Sequence, residues 1–253
     1  MARQKGVIKL QGQMGGVSFY KTGQDGFLAR EKGGVDAERI KNDPNFARTR
    51  ENGAEFGRAG SAAKLLRTAF RSLILSTKDS RMSSRLTKEM VKVIQADATN
   101  ARGLRNVIDG ESELLLGFEF NDNARLDSTF FGQYQATINR ATGACEVAVT
   151  NFYPDQMVSG PSGATHFRLI MAAGLVDFEA GTFSSNLFRS AEIELSNLQA
   201  GPLNLATAIA GAMQEPIFLV FGIEFFQQVN GQFYPLKNGA FNALSIVAID
   251  GGV

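Results

Sequence analysis

The spacing of hydrophobic and polar positions changes twice along this 253-residue chain. Residues 5–32 carry short alternating runs. Ile8 and Leu10 alternate with Lys9 and Gln11, Val17 and Phe19 flank Ser18, and Leu28 shares its parity with Arg30. Gly15-Gly16 and Gly23-Gln24-Asp25-Gly26 read as turns between them, because glycine supplies the positive φ that tight turns need. Gly33-Gly34 closes this section. The pattern predicts an N-terminal β-hairpin or arm over residues 1–35.

Residues 36–113 follow a helical period. Asp43-Pro44 reads as an N-cap followed by proline in the first turn. Ala59, Ala62, Ala63, Leu66, Phe70 and Leu73 recur at steps of three and four, which makes one apolar face. Lys78-Asp79-Ser80 marks a break, Leu86, Met90, Val93 and Ile94 a second amphipathic helix, and Leu104 to Leu115 a shorter third. Gly53, Gly57 and Gly60 interrupt the first pattern, each at a cost of about 1 kcal/mol against alanine in a helix interior. Two explanations stand open: the helix begins later, near Ser61, or a second backbone packs closely on the glycine face.

From residue 114 the period becomes two. Phe118 and Phe120 alternate, as do Tyr134, Ala136 and Ile138. After a turn over 139–143 the alternation resumes at Cys145, Val147 and Val149, then Phe167, Leu169 and Met171. It continues through Ala191, Ile193 and Leu195, and through Phe218, Val220 and Gly222. Asn230-Gly231 is a tight-hairpin signal, Asn238-Gly239 a second turn, and Leu244 to Val247 a last strand. The apolar stretch 203–213 fits a crossing helix or a buried strand. The fold class expected is α+β: an N-terminal β-hairpin (1–35), a helical middle section (36–113) and a C-terminal antiparallel β-sandwich (114–253).

The stretches GGVSFYKTGQDGFLAREKGGV (Gly15 to Val35) and NDPNFARTRENGAEFGRAG (Asn42 to Gly60) resemble an uncharacterised bacterial family. That family has a glycine-rich β-hairpin at its start, a helical middle and a β-sandwich-like end. The resemblance implies a shared fold and carries no activity.

Charge adds an asymmetry that the net value of +1 conceals. Residues 1–108 hold 21 Lys and Arg against 10 Asp and Glu, a net of +11, and residues 109–253 hold 5 against 15, a net of −10. On the predicted helices, Lys64, Arg67 and Arg71 fall at i, i+3, i+7, and Arg81, Arg85, Lys88 and Lys92 at i, i+4, i+7, i+11. Each set predicts one basic stripe, a contact surface for phosphates or for acidic protein. Glu192 and Glu194 share a strand face and are the expected acidic contact surface. Aromatic residues do not interleave with the basic stripes, which argues against stacking on single-stranded nucleic acid.

Catalytic chemistry is thinly supplied. His166 is the only histidine, so sites needing two histidine ligands are excluded. Ser159 and Ser162 lie near it in SGPSGATH without a Gly-x-Ser-x-Gly elbow. Cys145, the only cysteine, reads as a packed strand residue, so no internal disulfide forms. GRAGSAAK (Gly57 to Lys64) departs from the phosphate-loop pattern because Lys64 comes too late. Carboxylates are plentiful in the second half, Glu111, Glu113, Glu119, Asp122, Asp127, Asp177, Glu179 and Glu224 among them, with no calcium-loop spacing. No catalytic residue, cofactor site or metal site is therefore expected. The first residues lack the apolar run of a signal peptide and no stretch reaches the ~20 apolar residues of a membrane span. A cytoplasmic location is expected, with export by a route without a cleaved signal left open.

The functional expectation is a non-catalytic structural protein that assembles with copies of itself into an oligomer or polymer. Its basic and acidic surfaces would meet, and its N-terminal strands would pair with available edges. Two alternatives come from other classes. One is a nucleic-acid-associated or packaging-type protein using the basic helices. The other is a β-sandwich module binding a glycan or protein on Tyr134, Tyr153 or Tyr234.

Overall fold

A computed structural model describes every residue except Met1, Gln24, Lys32, Lys78, Lys237, Asn238 and Val253. Gln24, Lys78 and Asn238, each assigned above to a turn or break, thus lie outside the described residues. The chain forms two compact units, Met1–Arg50 and Glu51–Val253. The secondary structure is mixed α+β and the sheets are antiparallel.

The first unit holds strands β1 (Ala2–Arg3), β2 (Gly12–Met14), β3 (Val17–Thr22) and β4 (Gly26–Glu31), in sheet order β1-β4-β3-β2. The expected hairpin is its centre: β3 and β4 pair from Val17 opposite Glu31 to Thr22 opposite Gly26. The alternation at Ile8 and Leu10 does not become a strand; residues 4–11 form a loop between β1 and β2. Helix α1 (Ala37–Asn42) follows, capped by the Asp36 carboxylate, which accepts from the Glu38 N–H. Asp43 caps a 3-10 turn, Pro44–Phe46, which leads into α2 (Ala47–Ala69). Among the described residues of this unit only Leu28 is buried.

The second unit continues with α3 (Arg71–Ile74), α4 (Met82–Gln95), a 3-10 turn at Ser112–Leu115, and α5 (Leu126–Thr129). Then come β5 (Tyr134–Asn139), β6 (Ala144–Val149), α6 (Pro154–Met157), β7 (His166–Asp177), β8 (Thr182–Arg189), β9 (Ile193–Glu194), β10 (Leu203–Ala208), β11 (Ile217–Val229), β12 (Gln232–Pro235) and β13 (Ala243–Asp250). A large sheet is built on the long pair β7 and β11, with β8 and β9 beyond β7 and with β12 and β13 beyond β11. A smaller sheet has the order β10-β6-β5.

These pieces stack in three layers. Side chains of a strand alternate between faces. Phe167, Leu169, Met171, Leu175, Leu219, Phe221 and Ile223 therefore point to one side of the large sheet, where Cys145, Val147, Val149 and Leu205 of the smaller sheet meet them. Ile170, Ala172, Val176, Phe218 and Val220 point to the other side, under Ala59, Ala63, Leu66, Phe70, Leu86, Met90 and Ile94 of the helices. Cover on both faces explains why β7 and β11 read as nearly unbroken apolar runs. Glycines mark the tightest contacts. A Cβ on Gly174 would lie 2.8 Å from the Phe70 ring, and one on Gly222 would overlap the Ala243 carbonyl oxygen. The helices over residues 51–95 thus share one core with the strands of the second unit.

The other departures are local. The stretch around Leu104 forms no helix, and only the turn at Ser112–Leu115 is helical there. Phe118 and Phe120 lie along β13: the Phe120 N–H donates to the Leu244 carbonyl and the Ile246 N–H to that of Phe118. Residues 203–208 form a strand, β10. Asn230-Gly231, with φ of 50° and 77°, makes the tight turn between β11 and β12.

Candidate functional site

The predicted basic stripes are built differently from their sequence spacing. Phe70 leaves the helical conformation, so Lys64 and Arg67 lie on α2 while Arg71 opens α3. Lys64, Arg71, Arg81 and Lys88 are exposed and make no ion pair among the described residues. The other three have side-chain partners within the chain. Arg67 donates to the Ser83 hydroxyl at 2.8 Å, joining α2 to α4. Arg85 pairs with Asp79 at 2.5 Å, donates to the Glu119 carbonyl and stacks on the Phe118 ring. Lys92 pairs with Glu89 one turn back.

The expected acidic pair also divides. Glu192 sits 3.5 Å from Arg168, and the same guanidinium bonds the buried Glu224 at 2.6 Å and covers the Phe226 ring. Glu194 is exposed on β9. Of the two, Glu192 thus carries an ion pair and Glu194 is the more exposed.

A more concentrated acidic surface was not legible in the sequence. Glu111, Glu113, Asp177, Glu179 and Glu215 line one depression of about 360 Å³, which has no Lys or Arg in its wall. Four separate segments meet there: the approach to the 3-10 turn, the β7–β8 turn, the entry to β11, and Gly251-Gly252. Asp177 shapes the β7–β8 turn by accepting the N–H groups of Glu179 and Ala180. One carboxylate oxygen of Glu215 is buried with no hydrogen-bond donor. Arg140, bonded to the Glu215 carbonyl, directs its charge to Asp250 at 2.5 Å.

Ile108 and Phe178 line this depression and also a longer apolar groove of about 740 Å³. The groove runs between α2 and the β7–β8 turn, with Gly53, Gly57, Leu65, Val107 and Phe183 in its wall. The three helix glycines resolve one question left open above. Helix α2 is continuous from Ala47, so it does not begin at Ser61. A Cβ on Gly53, Gly57 or Gly60 would meet no atom within 4 Å, so no backbone among the described residues packs closely on these glycines. Two cations also line the groove: Arg58 is tied to the carbonyls of Gly103 and Arg105, while Lys64 is exposed.

Isolated reactive groups complete the inventory. Burial pushes the Glu119 carboxyl up to about 7; the Leu126 N–H and the charge of Arg125 oppose that rise, and Asp127 adds to it. Burial pushes the Cys145 thiol up to about 11. The His166 ring packs edge-on against Phe233, and its Nδ1 lies 2.9 Å from the Thr165 hydroxyl. Tyr134, Tyr153 and Tyr234 are exposed, but Tyr134 alone of them lines its shallow hollow. No group of three or more His, Cys, Asp or Glu among the described residues is arranged to hold a metal ion. No helix among them is long and apolar enough to cross a membrane. Comparison of the chain with protein-family models, with curated proteins and with solved structures finds no match.

Proposed function

We propose that this protein is a non-catalytic structural protein that assembles with copies of itself through unlike surfaces. One observation carries the reading. Nine ion pairs between described residues each stay within one part of the chain: Arg3–Asp25, Arg39–Asp43, Arg85–Asp79, Lys92–Glu89 and Arg102–Glu51 before residue 109, and Arg125–Asp127, Arg140–Asp250, Arg168–Glu192 and Arg168–Glu224 after it. None of these nine pairs joins the basic part to the acidic part. Each copy thus keeps Lys64, Arg71, Arg81 and Lys88 exposed beside its own helices, and a depression lined by five carboxylates. Contact between unlike patches is head-to-tail, which closes into a ring or continues as a filament.

Salt tests this reading, because exposed charges are screened over about 8 Å at physiological ionic strength. Sedimentation velocity at about 50 mM NaCl is expected to show species larger than a monomer, which dissociate by about 500 mM. A monomer at both salt concentrations, at the highest soluble concentration, overturns the proposal. The same four exposed cations support a second reading, contact with nucleic-acid phosphates; an unshifted band in a low-salt gel titration removes it.

A further inference from the structure

The first unit carries a feature that its own fold does not use. Between β1 and β2 the chain makes a loop that is pinned by one side chain. The Gln4 carboxamide accepts the Leu10 N–H at 2.8 Å and donates to the Leu10 carbonyl at 3.1 Å, and also to the Leu28 carbonyl of β4 at 3.1 Å. The Lys9 ammonium closes the loop on the Gln4 carbonyl. At the tip, Val7 is fully exposed and Ile8 is 81% exposed. Isolated exposed aliphatics are ordinary, but two adjacent ones on a loop with a fixed shape form a knob whose ordering entropy is already spent. Lys5 and Lys9 flank the tip, so the knob is apolar at its centre and cationic at both shoulders.

The second unit carries the matching hollow. Its apolar groove, floored by the open glycine face of α2 and walled by Ile108, Phe178 and Phe183, runs into the acidic depression. Resting on the self-assembly reading, we infer that the Lys5–Lys9 loop of one copy seats in this groove on a second copy. Val7 and Ile8 cover Ile108 and Phe178, and the lysines face Glu111, Glu113, Asp177 and Glu179. Charge sets the direction of docking. Lys64 lines the groove but not the depression, so it repels the loop's lysines and leaves them to the carboxylates. The glycine face then has a reason: only glycine leaves the groove floor open to a neighbour's chain.

The test uses the full chain. Val7→Asp with Ile8→Asp should leave the thermal melt unchanged, because both side chains are exposed, and should weaken assembly by at least about tenfold. Lys5→Glu with Lys9→Glu should weaken it too, and Glu111→Lys with Glu113→Lys in the same chain should restore it. An equal mixture of light and heavy-isotope chains, treated with a zero-length carbodiimide, should give mixed-isotope cross-links from Lys5 or Lys9 to the depression's carboxylates. If wild type is monomeric across the salt series, the self-assembly reading and this inference fail together. If wild type assembles, the Val7/Ile8 variant assembles equally well and only same-isotope cross-links form, this inference fails alone. Wild-type monomer that instead floats with anionic vesicles would make the tip a lipid anchor, and also overturns it.

Discussion

The two sheet-forming regions obey opposite rules. The N-terminal sheet β1–β4 has strands of two to six residues and buries a single described hydrophobic residue, Leu28. The large sheet of the second unit rests on strands of 12 and 13 residues and is covered on both faces. An isolated thin sheet is marginal in water without a helix or second sheet over it. The large sheet draws its stability from burial, at roughly 25 cal/mol for each Å² of apolar surface removed from water. The contrast separates two uses of a sheet: one holds the molecule together, and the other presents side chains. The pinned Val7–Ile8 tip belongs to the second kind.

The largest expected effect tests whether the regions are energetically distinct. Phe70 is buried without exposure, packs edge-on with Phe120 and sits over Gly174 of β7. Phe70→Ala should lower unfolding stability in urea by about 3–5 kcal/mol, through lost burial and the cavity left behind. Leu28→Ala, at the one buried hydrophobic site of the N-terminal sheet, should leave the main transition within about 0.5 kcal/mol and increase amide exchange only in β1–β4. Equal shifts of the main transition by both variants would show that the two regions unfold as one, and the comparison would break.

The same contrast sets what was legible in the sequence. Period alone located α4, β5, β6, β7, β11 and β13, because each buries a face large enough to impose its repeat on the chain. It placed a strand at Ile8 and Leu10, where nothing is buried and alternation has no physical cause. It passed over β8, whose TFSSNLFR reads as mostly polar because most of its side chains are exposed. Charge segregation was visible by counting, but its consequences were not. Arg85 becomes internal because Asp79, Phe118 and the Glu119 carbonyl converge on it from different segments. Likewise, the acidic depression gathers side chains from residues 111 to 215, a tertiary arrangement that no local spacing encodes.

A smaller effect sharpens the contrast within α2. Its inner face, Ala59, Ala63 and Leu66, is fixed by the sheet, whereas its glycine face is open. Gly57→Ala meets no atom within 4 Å and keeps the helical conformation. It should therefore stabilise the isolated chain by about 0.5–1 kcal/mol, by restricting the unfolded chain. The same methyl narrows the groove floor and should weaken assembly. Greater stability with unchanged assembly would leave the glycines without a role in docking.

The smallest effect concerns the difference between a charge in water and a charge in the doubly covered core. Glu119 is buried beside β13, with the Leu126 N–H donating to its carboxylate at 3.2 Å. Burial raises it from 4.5 to about 7, so between those values the folded chain keeps a proton that the unfolded chain has released. The unfolded state then binds fewer protons, and stability falls as pH rises through this window, with the full penalty present above 7. The aspartates held low by hydrogen bonds act in another range. Burial of Asp97 works against its charge, but the Asn100, Asn106 and Thr99 donors outweigh it and bring the group to about 2, so its contribution is lost only as pH falls below the ordinary aspartate value of 3.8. Glu119→Gln keeps an acceptor for the Leu126 N–H and removes the charge. It should match wild type near pH 4.5 and melt a few degrees higher at pH 8, read by circular dichroism. Parallel pH profiles for variant and wild type would mean that water reaches the carboxylate, and that the edge of this core is as open to solvent as the N-terminal sheet.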